Sequence, residues 1–165
     1  MRAHREQLVD INVEYVSWVL AGVEKLFAVP ADHIVGMSAA EYVAMVIDKL
    51  CGAVPPSGVF YLVMVDDRLA GMGGLRSLGE GTAEVKRVYI RPDFRGQRLG
   101  QQVLERLLGD GKSFGYRTAV LDTAPFMTAA HRLYESNGFV DRSPYEGVEV
   151  PAEFHARWRF MERAL

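Results

Sequence analysis

A β-strand that runs directly into a glycine-rich turn and a helix occupies residues 84–102, near the middle of the sequence. Residues 83–90 are rich in branched and aromatic side chains, which favour a strand. Pro92 ends this strand, because proline cannot donate a ladder hydrogen bond and restricts the residue before it. From Leu99 onward, apolar residues recur at the spacing of one helix face. The fold must therefore place a helix directly after a strand of its sheet.

The turn between this strand and helix spans residues 95–100, with the sequence Arg-Gly-Gln-Arg-Leu-Gly, and contains no acidic residue. A helix that begins here directs unpaired N–H groups and the positive end of its dipole into the turn. Such a turn binds anions, and a phosphate-bearing ligand is the natural occupant. The turn matches neither Gly-x-Gly-x-x-Gly nor the Gly-Lys-Ser/Thr ending of a P-loop, which disfavours a nucleotide-binding protein.

The overall charge argues against recognition of a polyanion by the whole surface. The 165 residues carry 19 Lys and Arg against 21 Asp and Glu, which gives a net charge of −2. Phosphate recognition must therefore be local, and we expect no nucleic-acid partner. No segment reaches the roughly 18 apolar residues of a membrane helix, and no signal-peptide pattern is present, so we expect no membrane partner.

The cysteine and histidine content indicates a reducing compartment and no metal site. Cys51 is the single cysteine, so it cannot form an internal disulfide, and we expect a cytoplasmic protein. We interpret Cys51 as a small buried residue rather than a nucleophile, because no base is close in sequence. His4, His33 and His155 are scattered along the chain, which predicts that no metal is bound.

The remaining pattern predicts one α/β domain with a mixed sheet. A helical apolar stripe predicts a first helix that ends before Pro30, and the capping-box spacing of Ser38 and Glu41 begins a second. By position alone, we expect the aperiodic residues 29–37 to border the substrate site. A last helix follows Pro125, and the helix after the third strand implies a parallel crossover. The predicted strands are residues 59–65, 69–75, 83–90, 117–122, 139–140 and about 154–161.

Three segments together resemble the GCN5-related N-acetyltransferase (GNAT) family: residues 84–100, Leu121-Asp-Thr, and residues 130–139, which read Ala-His-Arg-Leu-Tyr-Glu-Ser-Asn-Gly-Phe. The order of helices and strands matches that family from about residue 5 to the end. The resemblance implies a single N-acetyltransferase domain over residues 1–165. It also implies a three-layer fold with a mixed central sheet of about six or seven strands, in which a splayed strand pair binds acetyl-CoA.

The family resemblance implies acetyl-CoA as the co-substrate and the primary amine of a small molecule, amino acid or peptide or protein as the acceptor. Backbone amides of the turn are expected to contact the pyrophosphate, and the strand before it to pair with the pantetheine arm. The acceptor itself has no readable signature, and the oligomeric state stays open, although homodimers are common in that family. The residues implied to bind the coenzyme are Val88, Ile90, Arg95, Gly96, Gln97, Arg98, Leu99, Gly100 and Gln101.

Two positions depart from the family pattern. Arg98 stands where the pattern Arg/Gln-x-x-Gly-x-Gly/Ala has its first glycine, and its side chain either folds over a coenzyme phosphate or is a solvated helix-start residue. Met127 stands where the family often has an asparagine that contacts the coenzyme. These departures support an alternative function, a catalytically degenerate domain that binds acyl-CoA as a sensor.

The resemblance also implies two catalytic residues. Tyr134 matches the tyrosine that donates a proton to the thioester sulfur, and its alternative is a core tyrosine that bonds elsewhere. Glu84 occupies the position of the general base, and it shares a strand face with Val88 and Ile90 if no bulge intervenes. Its alternatives are an ion pair with Lys86 and a surface strand residue.

Four other side chains are weaker candidates for site residues. His131, one helical turn before Tyr134, is interpreted as a partly exposed helix residue rather than a site residue. Trp18, Trp158 and Tyr145 are candidates for the acceptor pocket, with core packing as the default for the two tryptophans.

Overall fold

A six-stranded sheet is the centre of the fold. The computed structural model describes residues 2–165, apart from the side chains of residues 2, 3, 31, 32, 50 and 51, so the expected burial of Cys51 lies outside the described residues. The strands are β1 (Gly58–Val65), β2 (Arg68–Gly79), β3 (Thr82–Ile90), β4 (Thr118–Thr123), β5 (Val140–Arg142) and β6 (Arg159–Ala164). The helices are α1 (Arg2–Phe27), α2 (Ala31–Val35), α3 (Ala39–Cys51), α4 (Leu99–Ser113) and α5 (Thr128–Ser136).

The strand order is β1-β2-β3-β4-β6-β5. The first three strands form an antiparallel meander, and β3 and β4 are parallel through the α4 crossover, which confirms the predicted mixed sheet. The prediction for residues 154–161 is wrong in its first half, because Ala152–Arg157 form a 3-10 helix. The Trp158 N–H donates back to the carbonyls of Phe154 and His155, which closes that turn before β6 begins.

Helices cover both faces of the sheet, so the predicted three layers are present. On one face, α4 packs Leu104 and Leu107 against Val85 of β3. On the other face, Ile11 of α1 packs against Tyr89, and α1 in turn covers α3. Burial of these apolar side chains supplies most of the free energy that holds the layers together.

The helix boundaries follow the expected local signals at the second long helix. Ser38 caps α3 and accepts a hydrogen bond from the Glu41 N–H, while the Glu41 carboxylate accepts from the Ser38 N–H, which confirms the capping box. Residues 29–37 contain the short helix α2, which their lack of periodicity did not indicate.

None of the helices in the described part of the chain combines the length and the apolar character that a membrane-spanning helix needs.

A β-bulge interrupts β3. Met72 pairs with Tyr89 and Gly74 pairs with Lys86, so two residues of β3, Arg87 and Val88, lie opposite the single residue Gly73. Arg87 has a left-handed φ of +54°, which a non-glycine residue adopts at a cost of roughly 1–2 kcal/mol. The bulge shifts the alternation of side chains by one position.

The bulge places Glu84 and Val88 on opposite faces of the sheet. Val88 and Ile90 pack with Val85 on the α4 face, whereas Tyr89 packs on the α1 face. The prediction that Glu84 shares a face with Val88 and Ile90 is therefore wrong, because an extra residue in a strand moves everything beyond it to the other face.

Strands β3 and β4 diverge soon after they meet. Their parallel pairing covers only three residue pairs and ends at Glu84 and Val120. Beyond this point the facing edges of β3 and β4 have no ladder partner in each other. The predicted splayed strand pair is therefore present, and the bulge lies on its open part.

Glu84 lies at the point where the pairing of β3 with β4 ends. Its side chain is fully buried, with one carboxylate oxygen accepting from the Tyr145 hydroxyl at 2.8 Å and the other from Nε of Arg76, its cross-strand partner on β2. The Lys86 ammonium is 3.6 Å from the same carboxylate. The ion pair named as an alternative for Glu84 is thus present, with Arg76 as the closer cation.

Glu84→Gln should lower the free energy of unfolding by on the order of 2–3 kcal/mol, because it removes the fully buried carboxylate that the half-buried guanidinium of Arg76 shares with Glu149 as its ionic partners. Urea denaturation measures this change. Glu162→Gln is the matched control, since Glu162 pairs with Arg142 at a half-exposed site and should lose less than about 1 kcal/mol. Equal losses in both variants would contradict a stabilising role for the buried pair.

Candidate active site

A cleft of about 580 Å³ lies where the sheet opens. Its walls come from residues 85–90 of β3, the end of β4, the start of α4, α5, and the inner sides of α1 and α2. Ile34 and Val35 of α2 line it, so residues 29–37 border the cleft as expected. The splay, the glycine-rich turn and Tyr134 therefore share one space.

The glycine-rich turn directs free N–H groups toward this cleft. In the described part of the chain, no acceptor pairs with the backbone N–H groups of residues 96–101, and the first turn-spanning bond runs from Gln102 to Arg98. Gly96 has φ of +82°, a conformation that favours glycine. The side chain of Arg95 folds back to donate to the Ile90 carbonyl at 3.1 Å, so it does not fill the turn. The geometry is that of an anion site.

Arg98 adopts a backbone conformation that glycine favours. Its φ of +58° is left-handed, and its exposed side chain, on the cleft wall, makes no hydrogen bond with the described residues. The backbone conformation is therefore compatible with the glycine of the family pattern. Both alternatives for the Arg98 side chain remain open. Met127, the other departure, lines the cleft just before α5.

Tyr134 lies in the cleft wall with its ring buried. The ring is 6% exposed and contacts Phe139 edge-on. Its hydroxyl has no hydrogen-bond partner among the described residues. Every fully buried side-chain oxygen or nitrogen of these residues does have a partner, so the Tyr134 hydroxyl is not fully buried and is open to the cleft that it lines. Burial raises the pKa of Tyr134 well above its ordinary value, which keeps the phenol protonated and able to donate.

Two carboxylates that the sequence did not single out line the cleft. Asp122 on β4 lies two residues beyond the last β3–β4 pair, and its Oδ1 accepts from the Trp158 indole N–H at 2.8 Å. Burial raises the pKa of Asp122. One sequence feature could have identified Asp122 as a site residue, namely its place in the Leu121-Asp-Thr segment at the end of a strand. Glu149 lies in a loop without a recognisable sequence motif.

The pKa of Glu149 is shifted in the opposite direction from that of Asp122. Its carboxylate is 2.7 Å from the Lys86 ammonium and 3.2 Å from the Arg76 guanidinium. Burial alone would raise the pKa of Glu149, but these two cations outweigh it and hold the pKa below its ordinary value. Glu84, by contrast, does not reach the cleft wall, so its predicted role as base would have to act through its neighbours.

The aromatic candidates divide between the cleft and the core. Trp18 is 38% exposed and lines the cleft against Tyr89 and Phe126, so core packing was the wrong default for it. Trp158 also lines the cleft. Tyr145 lies outside the wall, because its hydroxyl is committed to Glu84.

His131 is half-buried outside the cleft wall. Its ring Nε2 is 2.9 Å from the Ala124 carbonyl, and burial lowers its pKa. Among the described side chains, no three histidines, cysteines or carboxylates come together as metal ligands.

The chain matches known proteins in sequence. The model of the acetyltransferase (GNAT) family matches residues 26–139. An uncharacterized N-acetyltransferase of Schizosaccharomyces pombe is 34% identical over 106 residues, which cover 62% of this chain and 64% of that protein. N-acetylaspartate synthetase of Mus musculus is 33% identical over 86 residues, which cover 52% of this chain and 29% of that protein. The chain thus spans less than two thirds of the length of these relatives.

A solved structure shares the fold. The PaiA N-acetyltransferase of Thermoplasma acidophilum, solved in complex with coenzyme A, superposes with a TM-score of 0.67 over 97% of this chain and 92% of that one, at 18% identity. With a family model that matches more than half of the sequence, and with a mixed sheet that splays beside a glycine-rich turn, the chain belongs to the GNAT family of acetyltransferases.

Proposed function

We propose that this protein is an acetyl-CoA-dependent N-acetyltransferase that acetylates the primary amine of a small molecule, amino acid or peptide or protein. One observation carries the proposal: unpaired turn amides, a splayed strand edge and an unpartnered tyrosine hydroxyl meet in one cleft. The coenzyme A complex of the Thermoplasma acidophilum protein supports the donor, and the Schizosaccharomyces pombe relative supports the reaction class. The single domain, the cytoplasmic location and the expected partners stay predictions.

The donor would bind along the turn and the open edge of β3. The pyrophosphate accepts from the N–H groups of residues 96–101, where the positive end of the α4 dipole adds to the attraction. The pantetheine amides pair with the backbone of Val88 and Ile90, as an added strand does at a sheet edge. The bond from Arg95 to the Ile90 carbonyl does not prevent this, because a carbonyl oxygen has two acceptor sites.

Acetyl transfer needs a base at the amine and an acid at the sulfur. An alkyl ammonium has a pKa near 10 and must lose a proton before its nitrogen attacks the acetyl carbon. A C–N bond then forms as the C–S bond breaks. A carboxylate accepts the proton that the ammonium loses before the attack, and the leaving thiolate takes a proton from the Tyr134 hydroxyl. The second proton of the nitrogen, lost as the amide forms, restores the Tyr134 phenol through water, so one proton is released overall.

Asp122 is the carboxylate best placed to receive that proton. It lines the cleft at the open end of the splay. Its charge helps to raise the pKa of both Tyr134 and Tyr15, so it lies within electrostatic reach of both phenols. Glu84 remains the base implied by the family resemblance, but both of its oxygens already accept hydrogen bonds inside the sheet.

Purified protein, mixed with acetyl-CoA and a panel of primary amines, should release free thiol. Tyr134→Phe should lower kcat by roughly 100-fold or more with little change in KM for acetyl-CoA, because only the proton donor is removed. Tyr116→Phe is the matched control, since the Tyr116 hydroxyl bonds to the Pro56 carbonyl away from the cleft.

Two results would contradict these assignments. Saturable coenzyme A binding without thiol release from any amine would favour the sensor function instead. Full activity of Tyr134→Phe would remove Tyr134 from the chemistry while leaving the transferase reaction in place.

The pH profile should identify the base. Because the pKa of Asp122 is raised, kcat/KM should rise with pH through an acid limb that lies above the ordinary aspartate value of about 3.9, as the carboxylate loses its proton. Asp122→Asn should remove this limb and lower the rate, whereas Glu149→Gln should keep it. If Glu84→Gln loses the limb and Asp122→Asn retains it, then Glu84 is the base.

Arg98→Gly should separate the backbone of the turn from its charge. Glycine adopts the left-handed conformation without strain, so the turn keeps its shape while the guanidinium is lost. We expect the Kd for acetyl-CoA to rise about tenfold by calorimetry, as for one lost charge-assisted contact. Arg132→Ala, at an exposed position of α5, serves as the control. An unchanged Kd would assign Arg98 as a solvated helix-start residue.

A further inference from the structure

Arg87 is the residue around which β3 bulges. The residue is half-buried and lines the cleft, whose wall here also includes Tyr15 of α1. The left-handed φ of +54° is an unusual conformation for arginine, and such conformations concentrate at ligand sites. The bulge thus turns a cationic side chain into the cleft instead of leaving it in the alternation of the strand.

The Arg87 guanidinium contacts two neutral side chains. One Nη donates to the amide oxygen of Asn12, and the guanidinium carbon lies 5.6 Å from the centre of the Tyr15 ring. Asn12 is fully buried and is held in turn by its own bond to the Leu8 carbonyl at 2.8 Å. These contacts orient the guanidinium without neutralising it.

Three neighbouring cations all have carboxylate partners in the structure. Each lies within 4.0 Å of an acidic side chain, and the pairs are Arg76 with Glu84, Lys86 with Glu149, and Arg91 with Glu14. No such pair includes Arg87 among the described residues. Glu149, the acid whose pKa Arg87 also helps to lower, is already held by Lys86 and Arg76.

The guanidinium of Arg87 also has donors to spare. An arginine side chain carries five N–H groups, and the contact to Asn12 uses one nitrogen. Since every buried side-chain nitrogen of the described residues has a partner, the nitrogens of Arg87 without one are accessible, and Arg87 lines the cleft. A half-buried guanidinium that offers an open pair of donors is the complement of a carboxylate.

We propose that Arg87 binds a carboxylate of the acceptor, so that the preferred substrates are amino acids or other amines that carry a carboxylate. This inference rests on the proposed transferase function and names its substrate class. Arg87 would hold the carboxylate at the bulge while the amine faces Asp122 on the opposite strand. The Asp122 and Glu149 side chains on the same wall disfavour a second negative group on the substrate.

Pairs of amino acids and their carboxamides test the proposal, because the amide keeps the shape and removes the charge. The wild-type protein should acetylate the acids with kcat/KM at least tenfold above that of the matching amides. Arg87→Gln should lower kcat/KM for the acids by tenfold or more and leave the amides unchanged, while Arg87→Lys should retain part of the preference. Arg142→Gln, far from the cleft on β5, should match the wild type.

Acetyl-CoA binding, measured by calorimetry, reports whether each variant is folded. If Arg87→Gln does not bind the donor, Arg87→Gly, which accepts the left-handed conformation, supplies the acid-to-amide ratio. Equal use of acids and amides by the wild type, or an equal loss for both in the variant, would overturn the proposal.

Acceptor binding without turnover separates this proposal from the transferase function. Trp18 and Trp158 both line the cleft, so tryptophan fluorescence can follow the binding of amino acids and amides. A binding preference for acids that Arg87→Gln abolishes, together with no thiol release, would sustain the role of Arg87 and refute the transferase. Thiol release without any acid preference would do the reverse.

Discussion

The limited pairing of β3 with β4 is the constraint on which the rest of the structure depends. Three residue pairs join the strands up to Glu84 and Val120, and the sheet opens beyond them. A strand edge without a partner leaves backbone donors and acceptors that must be satisfied by water or a ligand. The fold therefore creates a polar slot inside a sheet whose two faces are covered by helices, and it places the start of α4 at the end of that slot.

The bulge at Arg87 gives the two ends of β3 different structural roles. Before it, Glu84 lies in the α1 face and is sealed by Arg76 and Tyr145. After it, Val88 and Ile90 lie on the α4 face and leave the strand edge to the cleft. A single inserted residue thus converts an ordinary strand into one that stabilises the sheet at one end and lines a site at the other.

Some charged side chains around the cleft have ionic partners, and others have only neutral hydrogen-bond partners among the described residues. Glu84 and Glu149 share the cations Arg76 and Lys86, which ties the loop after β5 to the sheet. Among the described side chains, Asp122 accepts from a neutral indole N–H alone, and burial raises its pKa. Groups with full ionic partners stabilise the walls, whereas those with neutral partners, Asp122 and Arg87, keep a capacity for ligands and protons.

Local patterns in the sequence determined the elements and the turn. Alternating residues predicted the meander, Ser38 and Glu41 predicted a helix start, and residues 95–100 predicted an anion site, because each of these signals lies within a few neighbouring residues. The bulge, the burial of Glu84 and the presence of Asp122, Arg87, Trp18 and Tyr134 in one cleft depended on the tertiary structure. Strand register and the direction of a side chain are set by partners distant in the chain, so only the packed sheet could decide them.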